Sequence, residues 1–246
     1  REVVITGTKV GCYQEAGGGL EQLVERILRE TDIERLRISS LQPQEISPQL
    51  LDLWQDNRLC HHLHMALQSG SETVLRRMGR RYILCQYQQA MDSIRQAIPD
   101  VAITTDIMVA FPGETDEEFK QSYQFCRQAD FANIHVFPFS SRPGTVAAGM
   151  PGQVDDRIKI SRTHRMLELS LCSRRDFEHR FVGQSMPVLW EKEMFPGSGL
   201  YSGLTGNYIR MFARSRASLT NCIVPAKLTG FWHQGMWGEL TGENSG

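Results

Sequence analysis

Positions 60–71 read CHHLHMALQSGS, which puts one cysteine and three histidines within five residues. These are transition-metal ligand types, so the first chemistry to test is a metal site. If the segment is a strand, side chains alternate. Cys60, His62 and His64 then share one face, and His61 and Leu63 share the other. Residues i and i+4 of a strand lie about 13 Å apart, too far for two zinc bonds of about 2.0–2.3 Å to bridge. At most two of the three could meet one ion. Otherwise the histidines are polar groups aimed into a shared cavity, with partners on neighbouring strands. The QSGS that follows is a small polar turn at the strand's C-terminal end, opening a helix, which is where α/β folds bind ligands.

The elements that must position these residues alternate along the first 140 positions. VVIT is a short apolar run, and Leu20 to Leu28 has helical spacing. ERLRISSL (34–41) alternates as a strand, and SPQLLDLWQ (47–55) returns to helix with Ser47 as N-cap before Pro48. HHLHMAL reads as a strand, followed by a helical start over 71–78 and a longer helix over 87–98. VAITTDIMVAF (101–111) is apolar enough to be buried on both faces, with Thr104, Asp106 and Met108 sharing one of them. Thr115 and Glu118 form a capping box for a helix over 117–128, and NIHVFPF closes the series as a fifth strand. This alternation means parallel strands joined by helical crossovers. Five strands are too few for a closed eight-fold barrel, so the sheet is open or a strand precedes Arg1.

After about residue 145 the composition changes. Residues 155–181 read as a helix carrying Ile158, Ile160, Met166, Leu167, Leu169 and Leu171. From Arg157 to Arg180, the cations Arg157, Lys159, Arg162, Arg165, Arg174, Arg175 and Arg180 oppose only Glu168, Asp176 and Glu178, so the helix is either a solvated face or a surface for a polyanion. From Val182 onward, short strands with glycine turns describe a small antiparallel barrel. Its aromatics and cations interleave (Tyr201, Tyr208, Arg210, Phe212, Arg214, Arg216), as a surface for stacked bases and phosphates requires.

Composition excludes other classes. The 246 residues are 41% hydrophobic and 22% charged with a formal net charge of −1, so bulk charge does not argue for nucleic acid. No run approaches the length of a membrane span, and the first residues lack a signal peptide's basic and apolar regions. Six cysteines (12, 60, 85, 126, 172, 222) form no C-x-x-C pair or close triplet; each reads singly as a buried small hydrophobe, in a reducing cytoplasm.

HLHMALQSGSETVLRRMGRRY, ITTDIMVAFPGETDEEF and HVFPFSSRPGTVAAGM together resemble the radical S-adenosylmethionine methylthiotransferases, and EVVITGTKVGCY resembles their second strand. RLRISSLQPQEI and HVFPFSSRPGT are most similar to the branch acting on N6-threonylcarbamoyladenosine in tRNA (the MtaB type). The resemblance implies an α/β fold: a partial parallel (βα)6 radical-SAM barrel over 1–150 lacking its first strand, a basic connecting helix over 151–182, and a TRAM-like tRNA-binding barrel over 183–243.

It also implies roles. His62, His64, Gln68, Ser69 and Ser71 would contact the ribose and methionyl moiety of S-adenosylmethionine, and Arg80 could pair with its carboxylate. Thr104 and Asp106 would point into the barrel, Asp106 meeting either a ligand hydroxyl or amine or a structural partner. Phe137 and Phe139 would lie near the adenine. Glu114 would support the start of the following helix. Arg157, Arg162, Arg165, Arg174, Arg175, Tyr208, Arg210, Arg214 and Arg216 would hold the anticodon stem-loop of tRNA. One departure is Ala66, where the family commonly has proline.

The larger departure is that C-x-x-x-C-x-x-C, the thiolate triplet of the family's [4Fe–4S] cluster, is not in the sequence. The expectation is a C-terminal portion of a longer cytoplasmic enzyme, with ligands for two clusters upstream of Arg1 and no turnover on its own. In the whole enzyme, radical chemistry supplied by S-adenosylmethionine and an electron donor would replace hydrogen at C2 of the adenine with a methylthio group. Other expectations are action on isopentenyladenosine in tRNA, action on a ribosomal-protein aspartate, a non-catalytic RNA-binding paralogue, or a zinc enzyme using Cys60, His62 and His64. No membrane partner is expected.

Overall fold

The computed structural model describes residues 1–7, 9–15 and 18–241. The first half is a curved layer of two parallel sheets, of two and four strands, with helices on its outer face. Strand β1 (Glu2–Ile5) is followed by a small hairpin of β2 (Gln14–Glu15) and β3 (Gly18–Gly19), then helix α1 (Leu20–Glu30). The segment expected as one strand over 34–41 divides at Ser39 into β4 (Arg35–Ile38) and β5 (Ser40–Leu41). The Ser39 amide reaches back to Ile5 O (2.9 Å), so β4 pairs with β1 while β5 pairs with the next strand. Helix α2 (Pro48–Asp52) starts where the Ser47 hydroxyl accepts from the Leu50 amide at 3.0 Å. Strand β6 (His62–Met65), helices α3 (Glu72–Arg77) and α4 (Leu84–Ala97), strand β7 (Ala102–Val109), helix α5 (Asp116–Gln128) and strand β8 (Asn133–Pro138) complete the unit. Thr115 and Glu118 form the expected reciprocal cap on α5.

Parallel register carries the sheet from β5 through β6 and β7 to β8, with His64 beside Thr104 and Asp106 beside His135. Alternation then sorts the side chains. Leu36, Ile38, Leu63, Met65, Ile103, Ile107 and Ile134 face the helices and build one core with Val24, Tyr87, Ile94 and Phe119. The opposite, inner face carries Glu2, Arg35, Arg37, His62, His64, Thr104, Asp106 and His135.

Helix α6 (Asp156–His179) crosses to the second half, giving Met166 and Leu169 to the first core and Phe177 to the second. Of the apolar residues that suggested this helix, Ile158, Ile160, Leu167 and Leu171 are exposed, Ile160 by 69%. Its buried face instead includes Arg162, Ser170 and Glu178.

Strands β9 (Ser185–Glu193), β10 (Leu200–Thr205), β11 (Arg210–Arg214), β12 (Cys222–Trp232) and β13 (Gly235–Leu240) close into a barrel in the order β10-β11-β13-β12-β9. The expected antiparallel unit needs one correction: β11 and β13 pair in parallel, which closes the barrel. Trp190, Met211, Ala226, Leu228 and Met236 fill it. Gly203 is required at the β9–β10 irregularity, because a Cβ there would lie 2.5 Å from Leu189 O.

The cysteines also need correction. Cys60 and Cys126 are buried, but Cys12, Cys85 and Cys172 are exposed, standing on a short 3-10 turn, a first helical turn and the solvent side of α6. Among the described residues no helix is long and apolar enough to cross a membrane.

Candidate functional site

The inner face has two ends of different chemistry. At the N-terminal end of the strands, the floor, Glu2 lies between two buried arginines, 2.8 Å from Arg35 Nη2 and 3.0 Å from Arg37 Nε. Burial works to raise the Glu2 carboxyl, but Arg37, Arg35 and the Cys60 thiol outweigh it and hold the group below the ordinary carboxylate range. The arginines spend their other donors on the second barrel. Arg35 donates to Leu204 O and Thr205 O (both 3.0 Å), and Arg37 donates to Gly206 O (3.2 Å). The second barrel is thereby clamped under the first.

Above this clamp sits the histidine group. His62 Nε2 and His64 Nδ1 both lie 3.0 Å from Thr104 Oγ1, and His64 Nε2 is 3.4 Å from Asp106 Oδ2. The His135 ring stands 5.8 Å from that of His64, and Tyr208 of the second barrel stacks on His62 at 4.3 Å and 9°. Burial, with Arg37 and two neighbouring histidines, drives the His62 pKa well below its usual range, so the ring is neutral at pH 7. The cysteine–histidine cluster of the sequence is therefore a hydrogen-bonded chain. Cys60 leans instead toward Glu2 (3.6 Å), and among the described residues no three His, Cys, Asp or Glu side chains converge at metal-ligand geometry.

At the C-terminal end, the mouth, the ladder continues one step past β6. The Gln68 amide donates to Asp106 O (2.8 Å), and the Met108 amide donates to Gln68 O (2.9 Å). Gln68 and Ala110 both hold positive φ (68° and 60°), a strained backbone of the kind that collects at ligand sites. A cavity of about 560 Å³ opens here among Met108, Phe111, Phe137, Phe139, Arg142 and Thr145. Phe137 is 51% exposed, whereas Phe139 is buried edge-on against Phe111 at 5.5 Å.

Several sequence-based assignments need correction. Ser69 and Ser71 belong to a turn pressed against α5. Ser69 Oγ accepts from the Ser71 amide (3.2 Å), and Ser71 Oγ donates to Gln121 Oε1 (2.9 Å). A Cβ on the intervening Gly70 would lie 2.7 Å from Phe125. Both serines are buried, and the turn is tied to α5 by Ser71 Oγ and by the Gly70 amide, which donates to Ser122 Oγ at 2.8 Å. Arg80 is exposed with no carboxylate partner among the described residues, which leaves its expected pairing with a ligand carboxylate open, while its neighbour Arg77 pairs with Glu118 at 2.6 Å. Arg162 is only 4% exposed, its guanidinium held by Glu114 Oε2 (2.8 Å) and Asp116 Oδ1 (2.7 Å), so it cannot meet RNA. Glu114, which also accepts from the Ala110 amide (2.7 Å), pins α6 to the β7–α5 turn.

The expected RNA-facing set divides further. Arg157, Arg165 and Arg175 are exposed along α6, with Arg165 over the Phe119 ring at 5.0 Å. Arg174 and Arg210 line the cleft between the barrels, and Arg210 is paired with Glu191. Tyr201 and Phe212 are buried, and Tyr208 is turned onto His62. Arg214 and Arg216 remain exposed on one rim of the second barrel beside Ser198 and Gly199.

Sequence reasoning missed His135, Arg35, Arg37 and Glu2. His135 had a signal, since it stands two positions before Phe137 on the same strand face.

The radical SAM superfamily model matches residues 1–126. The threonylcarbamoyladenosine tRNA methylthiotransferase MtaB of Bacillus subtilis is 33% identical over 237 residues, covering 93% of this chain and 52% of that protein. The tRNA-2-methylthio-N(6)-dimethylallyladenosine synthase of Syntrophotalea carbinolica is 33% identical over 244 residues, 97% of this chain and 56% of that protein. The chain thus spans about half the length of the curated relatives it matches. In fold, the chain is similar to coproporphyrinogen III oxidase (HemN) of Escherichia coli, a radical SAM enzyme, with a TM-score of 0.53 at 13% identity over 91% of this chain and 56% of that one.

Proposed function

The chain belongs to the radical SAM superfamily, and we propose that it serves methylthiolation of tRNA at C2 of N6-threonylcarbamoyladenosine beside the anticodon. The observation that carries this reading is the run of similarity through both barrels to a protein named for that reaction.

The superfamily implies S-adenosylmethionine and a [4Fe–4S] cluster. Thiolates must converge to bind such a cluster, and the six cysteines here do not, so this chain's own residues do not furnish its ligands. The mouth does fit an adenosyl sulfonium, because an apolar cavity with exposed Phe137 and half-exposed Met108 can cover a purine. When bound there, S-adenosylmethionine supplies the radical chemistry. The chain's residues do the rest. Met108 and Phe137 flank the purine and exclude water. The Asp106 carboxylate, partly exposed and backed by His64, accepts from a ligand ammonium or hydroxyl. Arg214 and Arg216, with the exposed cations of α6, meet the RNA backbone.

A second reading has its own support, since relatives of comparable identity are named for dimethylallyladenosine. Binding of anticodon stem-loop RNAs carrying threonylcarbamoyladenosine, isopentenyladenosine or plain adenosine separates the two. Tightest binding of the first supports the proposal; tightest binding of the second moves it to the other branch. Equal, weak binding of all three refutes both.

A further inference from the structure

Thr104 has one hydroxyl proton but stands 3.0 Å from two histidine nitrogens, His62 Nε2 and His64 Nδ1. It donates to one and accepts from the other, in either direction, or it accepts from both, so three arrangements are open. Two further observations choose between them. His62 Nδ1 is buried with no partner among the described residues, so a proton there would be an unsatisfied donor. His64 Nε2 faces the Asp106 carboxylate at 3.4 Å, where a lone pair would repel and an N–H attracts. Both are met if His62 Nε2–H donates to Thr104, and Thr104 donates to His64 Nδ1. The His64 proton then sits on Nε2, the ring nitrogen 3.4 Å from Asp106 Oδ2.

What fixes this arrangement comes from the other barrel. Tyr208 holds φ at 68°, which for a bulky side chain is an outlier that persists only when its surroundings over-determine it. They do so here. Arg35 and Arg37 hold the carbonyls of Leu204, Thr205 and Gly206, and the Ile209 amide donates to Thr205 Oγ1 at 2.9 Å. The Tyr208 ring has the His62 ring stacked at 4.3 Å and the Arg37 guanidinium 5.0 Å from its centroid. The strained turn delivers one aromatic plate onto one imidazole.

We propose that Tyr208 is a positioning residue for the first barrel's interior, holding His62 so that the chain His62–Thr104–His64 runs in one direction and presents the His64 Nε2 proton to Asp106. Its bearing on chemistry rests on the function proposed above, in which Asp106 meets the ligand. The directed chain itself does not, and it can be read without cofactor or RNA.

The test is two-bond 1H–15N correlation NMR of the 15N-histidine-labelled chain at neutral pH, which shows which nitrogen of each ring carries the proton. His61 supplies an internal standard of opposite sense, because its Nδ1 lies 2.9 Å from the Pro99 carbonyl and must donate. His62 and His64 should both show the Nε2–H pattern; an Nδ1–H pattern at either overturns the proposal, and this spectrum needs no variant to fold. Tyr208→Phe should keep the pattern, whereas Tyr208→Ala should lose it at His62 and His64 and leave His61 unchanged. An unaltered pattern in a folded Tyr208→Ala chain also overturns it. A chain with the expected tautomers that binds neither S-adenosylmethionine nor RNA would sink the functional reading alone.

Discussion

The floor and the mouth of the first barrel's inner face differ in what finishes them. At the floor, two buried arginines flank a half-buried glutamate, and the second barrel's carbonyls take further guanidinium donors, leaving Arg35 Nε without a partner among the described residues. At the mouth, apolar and aromatic side chains line an open cavity, and the backbone is strained at Gln68 and Ala110. The floor is built from β1 and β4 and the mouth from β7, β8 and the residues that follow them, both by the same alternation. The difference teaches that burying charge can secure one barrel on another, while leaving apolar surface exposed prepares a place for a ligand.

The strongest way to break this comparison is at the floor. Arg37→Ala leaves Glu2 with one guanidinium and frees the Gly206 carbonyl, and removing one partner of a buried ion pair costs about 3–5 kcal/mol. Chemical denaturation should register that loss; a loss below about 1 kcal/mol would mean the floor is no clamp.

The mouth should respond in the opposite way. Phe137→Ala removes a half-exposed ring, so stability should stay within about 0.5 kcal/mol. Affinity for S-adenosylmethionine, read by calorimetry, should fall several-fold. Loss of stability with unchanged affinity would make Phe137 a packing residue.

Acid sharpens the comparison because the buried titratable histidine lies toward the floor. The folded pKa of His62 is far below its ordinary 6.5, so just below pH 6.5 the unfolded chain binds a proton that the folded chain does not. Stability from this group is therefore complete above pH 6.5 and declines on acidification below it. His62→Gln should flatten that decline in pH-dependent denaturation; an unchanged slope would place the titration elsewhere.

The smallest effect concerns the rim. Replacing Arg214 and Arg216 with alanine should leave the fold intact and reduce the salt dependence of tRNA binding by about one unit of slope for each phosphate no longer neutralised. An unchanged slope would remove the rim from the RNA surface.

What the sequence made legible was local. The apolar face of VAITTDIMVAF, the Thr115–Glu118 cap and the Ser47–Pro48 helix start are written in neighbouring residues, and they set the sheet's register and so the shared face of His62, His64, Thr104 and Asp106. What stayed hidden depends on partners far along the chain. Arg162 read as a surface cation because Glu114 and Asp116 lie 48 and 46 residues away. The stacking of Tyr208 on His62 stayed hidden because nothing beside it signals that its turn would dock there, although the residue keeps 45% of its surface exposed. Ser71 read as a ligand contact because a small polar turn looks the same whether it faces a cavity or a helix.

On the proposed function the ligand binds at the mouth, and the floor is closed to it. The most direct test is a titration of the 13C-methyl-methionine-labelled chain with S-adenosylmethionine. The methyls of Met108 and Met150 should shift saturably, while those of Met211 and Met236 in the second barrel stay fixed. Shifts confined to Met211 and Met236, or none at saturating ligand, would contradict it.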